Sequence, residues 1–250
     1  MKHCARKFSL CWLILLVLFS GCNSKAAEDA GGDVVLFVTD NSQLTYVLPS
    51  PETEGSMSLE EALESRRSRR NFQDKELSAE QLSQILWAAY GITDPESDNP
   101  SLRGGRRTAP SAGALYPLEI YVVVGNVTGI QAGVYKYVSE GHKIIRTIDN
   151  DIREDLSAAS LDQAMIRDAP VIVLYCAVFS RIADRYGERG RERYAYIEIG
   201  HSAQNIYLQA EALGLGTCAI GAFTDSSVID LLGLPDEEVP LYLMPVGFIS

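Results

Sequence analysis

Four arginines fall within five residues at Arg66-Arg67-Ser68-Arg69-Arg70, in a chain that carries a net charge of −11. Guanidinium groups present rigid forks of N–H donors that match phosphate oxygens two at a time. An acidic protein that gathers positive charge in one short stretch is equipped to hold an anion there, a cofactor phosphate above all. The same stretch also reads as a solvated basic face at a helix end, since charge runs commonly hold no ligand. A second candidate is Thr108-Ala109-Pro110-Ser111-Ala112-Gly113-Ala114-Leu115-Tyr116-Pro117. Its small residues let backbone approach a flat ligand closely, and prolines near its two ends stiffen it. It reads equally as a tight turn between a loop and a strand. A third segment, Gly214-Leu215-Gly216-Thr217-Cys218-Ala219-Ile220-Gly221-Ala222-Phe223, is Gly-rich and either faces a ligand or simply ends a helix.

These segments need a scaffold, and the spacing of apolar residues supplies one. A helix is predicted from Ser58 into the arginines. A second starts at Ser78, with Gln81 at capping-box spacing, and ends at Gly91. Thr93 to Pro110 reads as a long loop without regular structure, which inside a compact domain is commonly functional. Strands are predicted at Leu118–Val124, Val171–Val178 and Leu241–Ile249, and a hairpin at Gly133–Val138 and Lys143–Ile148. The near-continuous apolar run of Val171–Val178 marks a central, doubly covered strand. Further helices are expected at Asp151–Ala159, Glu192–Leu213 and Ser226–Leu232, with a short extended piece at Thr217–Gly221. Helices and strands alternate irregularly, so the class is α+β rather than a doubly wound sheet.

In this order and spacing the segments resemble the nitroreductase family of flavin enzymes, and within it the SagB-type dehydrogenase branch. The matching residues are Arg66-Arg67-Ser68 with Arg70, then Pro110 to Pro117, Asp168-Ala169-Pro170, Glu198-x-Gly200-His201 with Gln204-Asn205, Gly214-Leu215-Gly216 and Pro245-Val246-Gly247. They cover residues 48–250. The resemblance implies a mostly antiparallel central sheet flanked by helices, an FMN cofactor, and a homodimer with FMN at its interface. It implies that Arg66, Arg67 and Ser68 hold the phosphate and ribityl chain, with Arg70 near the pyrimidine edge. It places Pro110, Ser111, Ala112 and Gly113 on the ring, Gln163 in a hydrogen bond to the cofactor, and Ala219, Ile220, Gly221 and Ala222 along the ring and its N5 side. A cation near the pyrimidine edge stabilises the anionic reduced flavin. The implied activity is hydride transfer through flavin N5, linked to NADH or NADPH, toward a small nitro-, quinone- or azoline-like substrate. At Asp184-Arg185-Tyr186-Gly187 the SagB-type branch has a Lys-Tyr pair that assists proton removal. Arg185 stays protonated and is a poor base, which leaves Tyr186 as the catalytic candidate and weighs against azoline oxidation. A flavin-binding or flavin-modifying lipoprotein without turnover is one rival reading, and a structural or partner-binding lipoprotein with a vacant site is the other.

Other chemistries find no support. Two of the three histidines, His142 and His201, lie in the predicted hairpin and long helix, where structural roles suffice, and no triad is expected. There is no C-x-x-C pair for a zinc ribbon or dithiol, and no metal site is predicted. The acidic balance argues against nucleic acid. No G-x-G-x-x-G follows a strand, so no separate dinucleotide domain is expected.

The first residues read as an address. Lys2, Arg6 and Lys7 precede an apolar stretch, Ser9–Phe19, that is short for a membrane span. Small residues then lead to Cys22, as in bacterial lipoprotein signals. Residues 1–21 are expected to be removed and Cys22 lipidated, which leaves a mature charge of −14 once those three cations are lost. An uncleaved anchor with an incidental cysteine is the other reading. Residues 22–56 are predicted as a tether and N-terminal arm, with a short strand at Val34–Val38, and residues 57–250 as the FMN-binding domain. The expected location is extracytoplasmic, on a bacterial membrane. Cys176 and Cys218 remain, either as a disulfide or as small buried apolar groups.

Overall fold

The computed structural model describes residues 36–40, 43–94 and 104–250, with backbone alone for 36–40. The predicted signal segment, Cys22 and the first part of the predicted tether, through residue 35, lie outside the described residues. Along the chain run β1 (Leu36–Asp40), β2 (Gln43–Val47), α1 (Leu59–Ser65), α2 (Ala79–Tyr90), β3 (Ile92–Asp94) and β4 (Arg106–Arg107). Then come β5 (Leu118–Val124), β6 (Gly133–Val138), β7 (Lys143–Ile148), α3 (Arg153–Ala159), α4 (Ala164–Asp168) and β8 (Val171–Val178). The chain closes with α5 (Phe179–Arg189), α6 (Ala195–Ala212), β9 (Leu215–Thr217), α7 (Asp225–Leu232) and β10 (Glu238–Phe248).

Eight strands form one sheet in the order β1-β2-β7-β6-β5-β8-β10-β9. Every pairing in it is antiparallel. The α+β class with a mostly antiparallel sheet is therefore observed. All eight residues of β8 are buried. Their alternation divides two cores, as a period of two requires. Val171, Val173, Tyr175 and Ala177 face the layer built by α2 and α6. Ile172, Leu174 and Cys176 face the layer that includes Leu156 of α3, Ile166 of α4 and Val228 of α7.

The helices begin where their side chains permit. Ser58 and Ser78 each accept from the backbone of the third helical residue, and Glu61 and Gln81 return the bond, so both helices start on complete capping boxes. α2 then buries Leu82, Ile85, Leu86 and Ala89 against α6 and the sheet.

Several boundaries differ from expectation. The N-terminal arm is more than a tether: β2 joins the main sheet against β7, and the strand expected at Val34–Val38 is placed at Leu36–Asp40. The loop predicted from Thr93 to Pro110 contains β3 and β4, paired as a two-stranded sheet. The helix expected from Glu192 starts at Ala195, after one π turn over Gly190–Tyr194. The extended piece predicted at Thr217–Gly221 is strand only at Leu215–Thr217, and β10 begins at Glu238, earlier than Leu241. Cys176 and Cys218 are buried and unpaired.

Candidate functional site

The arginine segment leaves α1 as extended chain and is pinned to the last residue of β9. Ser68 forms a parallel bridge with Thr217, and the Arg69 amide donates to the Thr217 carbonyl at 2.8 Å. The Tyr207 hydroxyl on α6 is the hub of this contact. It accepts from the Ala219 amide at 2.8 Å and bonds the Ser68 hydroxyl at 3.0 Å. The Arg66 guanidinium lies over the same ring, 5.4 Å from its centre. One tyrosine thus holds Arg66, Ser68 and Ala219 together across about 150 residues of chain.

Arg67 takes a different course. Its guanidinium donates to the carbonyls of Glu64 and Arg66, and its amide donates to Glu211. Arg69 and Arg70, with Ser68, Asn71, Ile249 and Ser250, line a pocket of about 500 Å³, within the size range of small-molecule sites. Two buried polar atoms on the bridged segments have no hydrogen-bond partner, Arg69 Nε and Thr217 Oγ1. Buried polar groups are rarely left so in folded proteins, and a polar ligand is a fitting partner for them. Gln163 donates to the Ala222 carbonyl at 3.0 Å and to Ser160 at 2.8 Å. Gln163, expected to hydrogen-bond the cofactor, has its amide nitrogen bonded to backbone carbonyls.

The second cluster surrounds the 3₁₀ turn Ala112–Ala114. Backbone in the left-handed region recurs here, with φ of 63° at Gly113, 54° at Ala114 and 47° at Tyr116. Such positions store about 1–3 kcal/mol each for non-glycine residues and concentrate at functional sites. A Cβ on Gly113 would lie 2.7 Å from the Tyr186 hydroxyl and 3.3 Å from Arg185 Nη1. Tyr186 and Arg185 therefore converge on Gly113 from α5, which Arg181 fixes by its ion pair with Glu119. Ser111 accepts from the Tyr116 amide at 2.9 Å. Pro110 and Gly113 are exposed and Ala112 half-buried, so the turn is open to a ligand.

Beneath the turn lies Glu198 of α6, 1% exposed, accepting from the Tyr90 hydroxyl. Burial pushes its carboxyl up to about 7, against the Ser111 and Tyr90 hydroxyls and the Arg107 charge, which pull it down. Burial and Glu198 together push the Tyr90 phenol well up. Arg107 stacks on Tyr90 and Tyr116, 4.5 and 4.6 Å from the ring centres. Asn205 of α6 donates to the Thr108 carbonyl at 3.2 Å. The same helix therefore carries both clusters. Glu198 and Tyr207 are separated by about 13 Å along its axis at the usual rise of 1.5 Å per residue.

The sequence motifs named the two clusters but missed Tyr207, Tyr90 and Arg107, which have no motif of their own. His201 is exposed on α6. His142 is structural: it bonds Ser83 through Nε2 at 2.6 Å and Tyr137 through Nδ1 at 2.8 Å. Burial lowers its pKa to about 4. Among the described residues no helix is long and apolar enough to cross a membrane, and no group of side chains has the makings of a metal centre.

Comparison with known proteins converges on one family. The model of the nitroreductase family matches residues 63–248. A nitroreductase-type protein of Methanocaldococcus jannaschii is 44% identical over 203 residues, 81% of this chain and 96% of that protein. The microcin B17-processing protein of Escherichia coli is 31% identical, over 72% of this chain and 66% of its own. The NADPH-flavin oxidoreductase of Vibrio harveyi is 30% identical over 42% of this chain and 46% of its own. Among solved structures, a nitroreductase-type protein of Ralstonia eutropha superimposes with a TM-score of 0.69 at 28% identity, covering 89% of this chain and 98% of that one.

Proposed function

The chain belongs to the nitroreductase family and is an oxidoreductase, and we propose that it works through FMN held by the two clusters on α6. The observation that carries this reading is the Tyr207 hub, which seats Arg66 and Ser68 against Ala219. Phosphate-binding and ring-lining segments must be neighbours if one cofactor is to touch both. Arg66 and Ser68 would hold the phosphate and ribityl end. Arg70 would face the pyrimidine edge, and Ala219, Ile220, Gly221 and Ala222 the ring. Pro110, Ser111, Ala112 and Gly113 would pack on the ring as well. Arg67 uses Nη1 on the carbonyls of Glu64 and Arg66, and its remaining guanidinium donors would join Arg66 and Ser68 at the phosphate end. Gln163 supports Ala222 rather than reaching the cofactor by its amide nitrogen.

Bound FMN supplies hydride transfer at N5, which needs no protein acid or base. The protein orients the ring, offers cations where negative charge develops, and limits access to water. The two clusters belong to one site or, in a homodimer with FMN at the interface, to two sites that each draw on both protomers. We favour the homodimer. The electron donor in this reading is NADH or NADPH, supported by the flavin oxidoreductase relative. The acceptor is a small nitro- or quinone-like molecule.

Kinship with the microcin B17-processing protein supports the SagB-type branch. Tyr186 converges on Gly113, and in this reading its phenol would stand beside the ring and assist proton transfer. Arg185, fixed as a cation, cannot serve as base, which disfavours azoline substrates. We further propose that Cys22 carries a lipid and fixes the enzyme outside the cytoplasm. Metabolic labelling with a fatty acid that survives Cys22→Ala would refute this.

The cofactor assignment is tested by Arg66→Ala. Charge-assisted hydrogen bonds are worth about 1.5–3 kcal/mol, so FMN affinity measured by fluorescence quenching falls more than about tenfold. Unchanged affinity would remove Arg66 from the phosphate site.

A further inference from the structure

Glu198 is a buried carboxyl that forms no ion pair among the described residues, and the Arg107 charge acts on it from a distance. Its Oε1 accepts from Tyr90, while Oε2 is buried and makes no hydrogen bond of good geometry. Ser111 lies alongside with its hydroxyl hydrogen available, because its oxygen already accepts from Tyr116. Among the described residues, the charged and titratable groups around the carboxyl are Tyr90 from α2, Arg107 from β4 and Tyr116 from the strained turn, with the neutral Ser111 hydroxyl beside them. Ser202, one turn along α6, is engaged with Tyr175 of β8 and the Ala89 carbonyl. Arg107 stacks on two tyrosines, donates to Ser139 at 3.0 Å and approaches Glu140 at 3.6 Å, while its buried Nε bonds none of the described residues. A carboxylate shielded from water and lacking a dedicated cation is costly to keep charged, and protonation relieves that cost.

The position matters as much as the burial. Ser111 opens the turn whose next residues, Ala112 and Gly113, are assigned to the flavin ring. Nothing in hydride transfer itself employs Glu198. Yet a group that stands under this turn senses whether it faces water or a ring, and whether that ring is neutral or anionic.

We propose that Glu198 is a proton-holding positioning residue for the cofactor-facing turn, taking up a solvent proton when flavin covers residues 111–113 and returning it when the turn is uncovered. In the protonated state Glu198 becomes a donor as well as an acceptor, and the direction of its bond with Ser111 can reverse. In the ionised state it accepts from both Tyr90 and Ser111. The turn is thereby held by one bond pattern with cofactor and another without it. Reduction adds negative charge above the turn and favours the protonated state further. This inference rests on the flavin reading.

The test is the infrared carbonyl stretch of a protonated carboxyl, followed against pH in the full chain with and without FMN. In the free protein the band titrates with a midpoint near pH 7 and is missing in Glu198→Gln. Saturating FMN moves the midpoint up by about one unit, the size expected for a charge at about 10 Å in a medium of effective dielectric near 20. Should Glu198→Gln fail to fold, Tyr90→Phe identifies the band instead, because losing that hydroxyl shifts its frequency and raises its midpoint. A midpoint below about pH 5 would overturn the inference. So would FMN that binds, as seen by quenching of its fluorescence, and leaves the midpoint unmoved, while the cofactor assignment would stand. Failure of FMN to bind at all would overturn both.

Discussion

Tyr207→Phe isolates the contact on which the site depends. The substitution removes one oxygen and leaves the ring in place, so the stacking of Arg66 on it is preserved. Two hydrogen bonds disappear: the Ala219 amide loses its acceptor at 2.8 Å, and Ser68 loses its partner at 3.0 Å. An orphaned buried amide costs about 1–3 kcal/mol, and a hydroxyl that can turn to water costs little. Ala219 and Tyr207 are only half-buried, so the lower half of that range applies, about 1–2 kcal/mol of folding stability. The larger effect falls on ligand binding. Without the hub, the arginine segment and residues 219–222 are no longer held in register, and FMN affinity falls by about tenfold, which is about 1.4 kcal/mol. Urea denaturation gives the first quantity and fluorescence quenching of FMN the second. Ser68→Ala combined with Tyr207→Phe completes a double-mutant cycle, and the coupling between them is expected at about 0.5–1 kcal/mol. FMN affinity within twofold of the parent, with stability unchanged, would refute the idea that Tyr207 assembles the site.

Two further outcomes follow from single residues. His142 has its folded pKa lowered to about 4 by burial, against about 6.5 when unfolded. The unfolded chain therefore binds the extra proton first, and stability is lost as pH falls from about 6.5 to about 4, then levels off. The full shift corresponds to about 3.4 kcal/mol, reduced to about 2 for a ring still partly in contact with solvent. Glu198, raised to about 7, contributes with the opposite sign over the same range, so the His142 part is read as the difference between the parent and His142→Gln in the change of urea midpoint from pH 7 to pH 4.5; an equal change in the two proteins would be a contradiction. Gly113→Ala places a methyl against the Tyr186 hydroxyl at a φ of 63° and lowers stability by about 1–2 kcal/mol. Adding Tyr186→Phe to it recovers the part due to collision and leaves the part due to backbone strain. No recovery would mean that Tyr186 does not rest on Gly113.

The sheet was legible because its strands are extreme in composition. Val171–Val178 has no charged residue and could only be central, and Leu118–Val124 pairs with it along its whole length. The capping box at Ser78 fixed the start of α2. α5 was missed although Phe179, Ile182, Ala183 and Tyr186 recur at helical spacing; it follows β8 directly, with no capping residue or break to mark its start. β3 and β4 pair through backbone across residues 95–105, and a ladder two residues long leaves no pattern. In the site, glycine, serine and arginine motifs carry local chemistry and so announced themselves. Tyr207 and Tyr90 act across distances of 12 to 139 residues in sequence. A tyrosine on a helix face looks like core until its hydroxyl partner is known.

The central claim is that this chain holds FMN as its working cofactor. It is tested most directly by an absorbance spectrum of the purified protein after loading with FMN and removal of unbound ligand. The account predicts flavin bands that persist through desalting and bleach anaerobically on addition of NADH or NADPH. A colourless protein would contradict it, and bands that no nicotinamide donor bleaches would leave a flavin binder in place of the proposed enzyme.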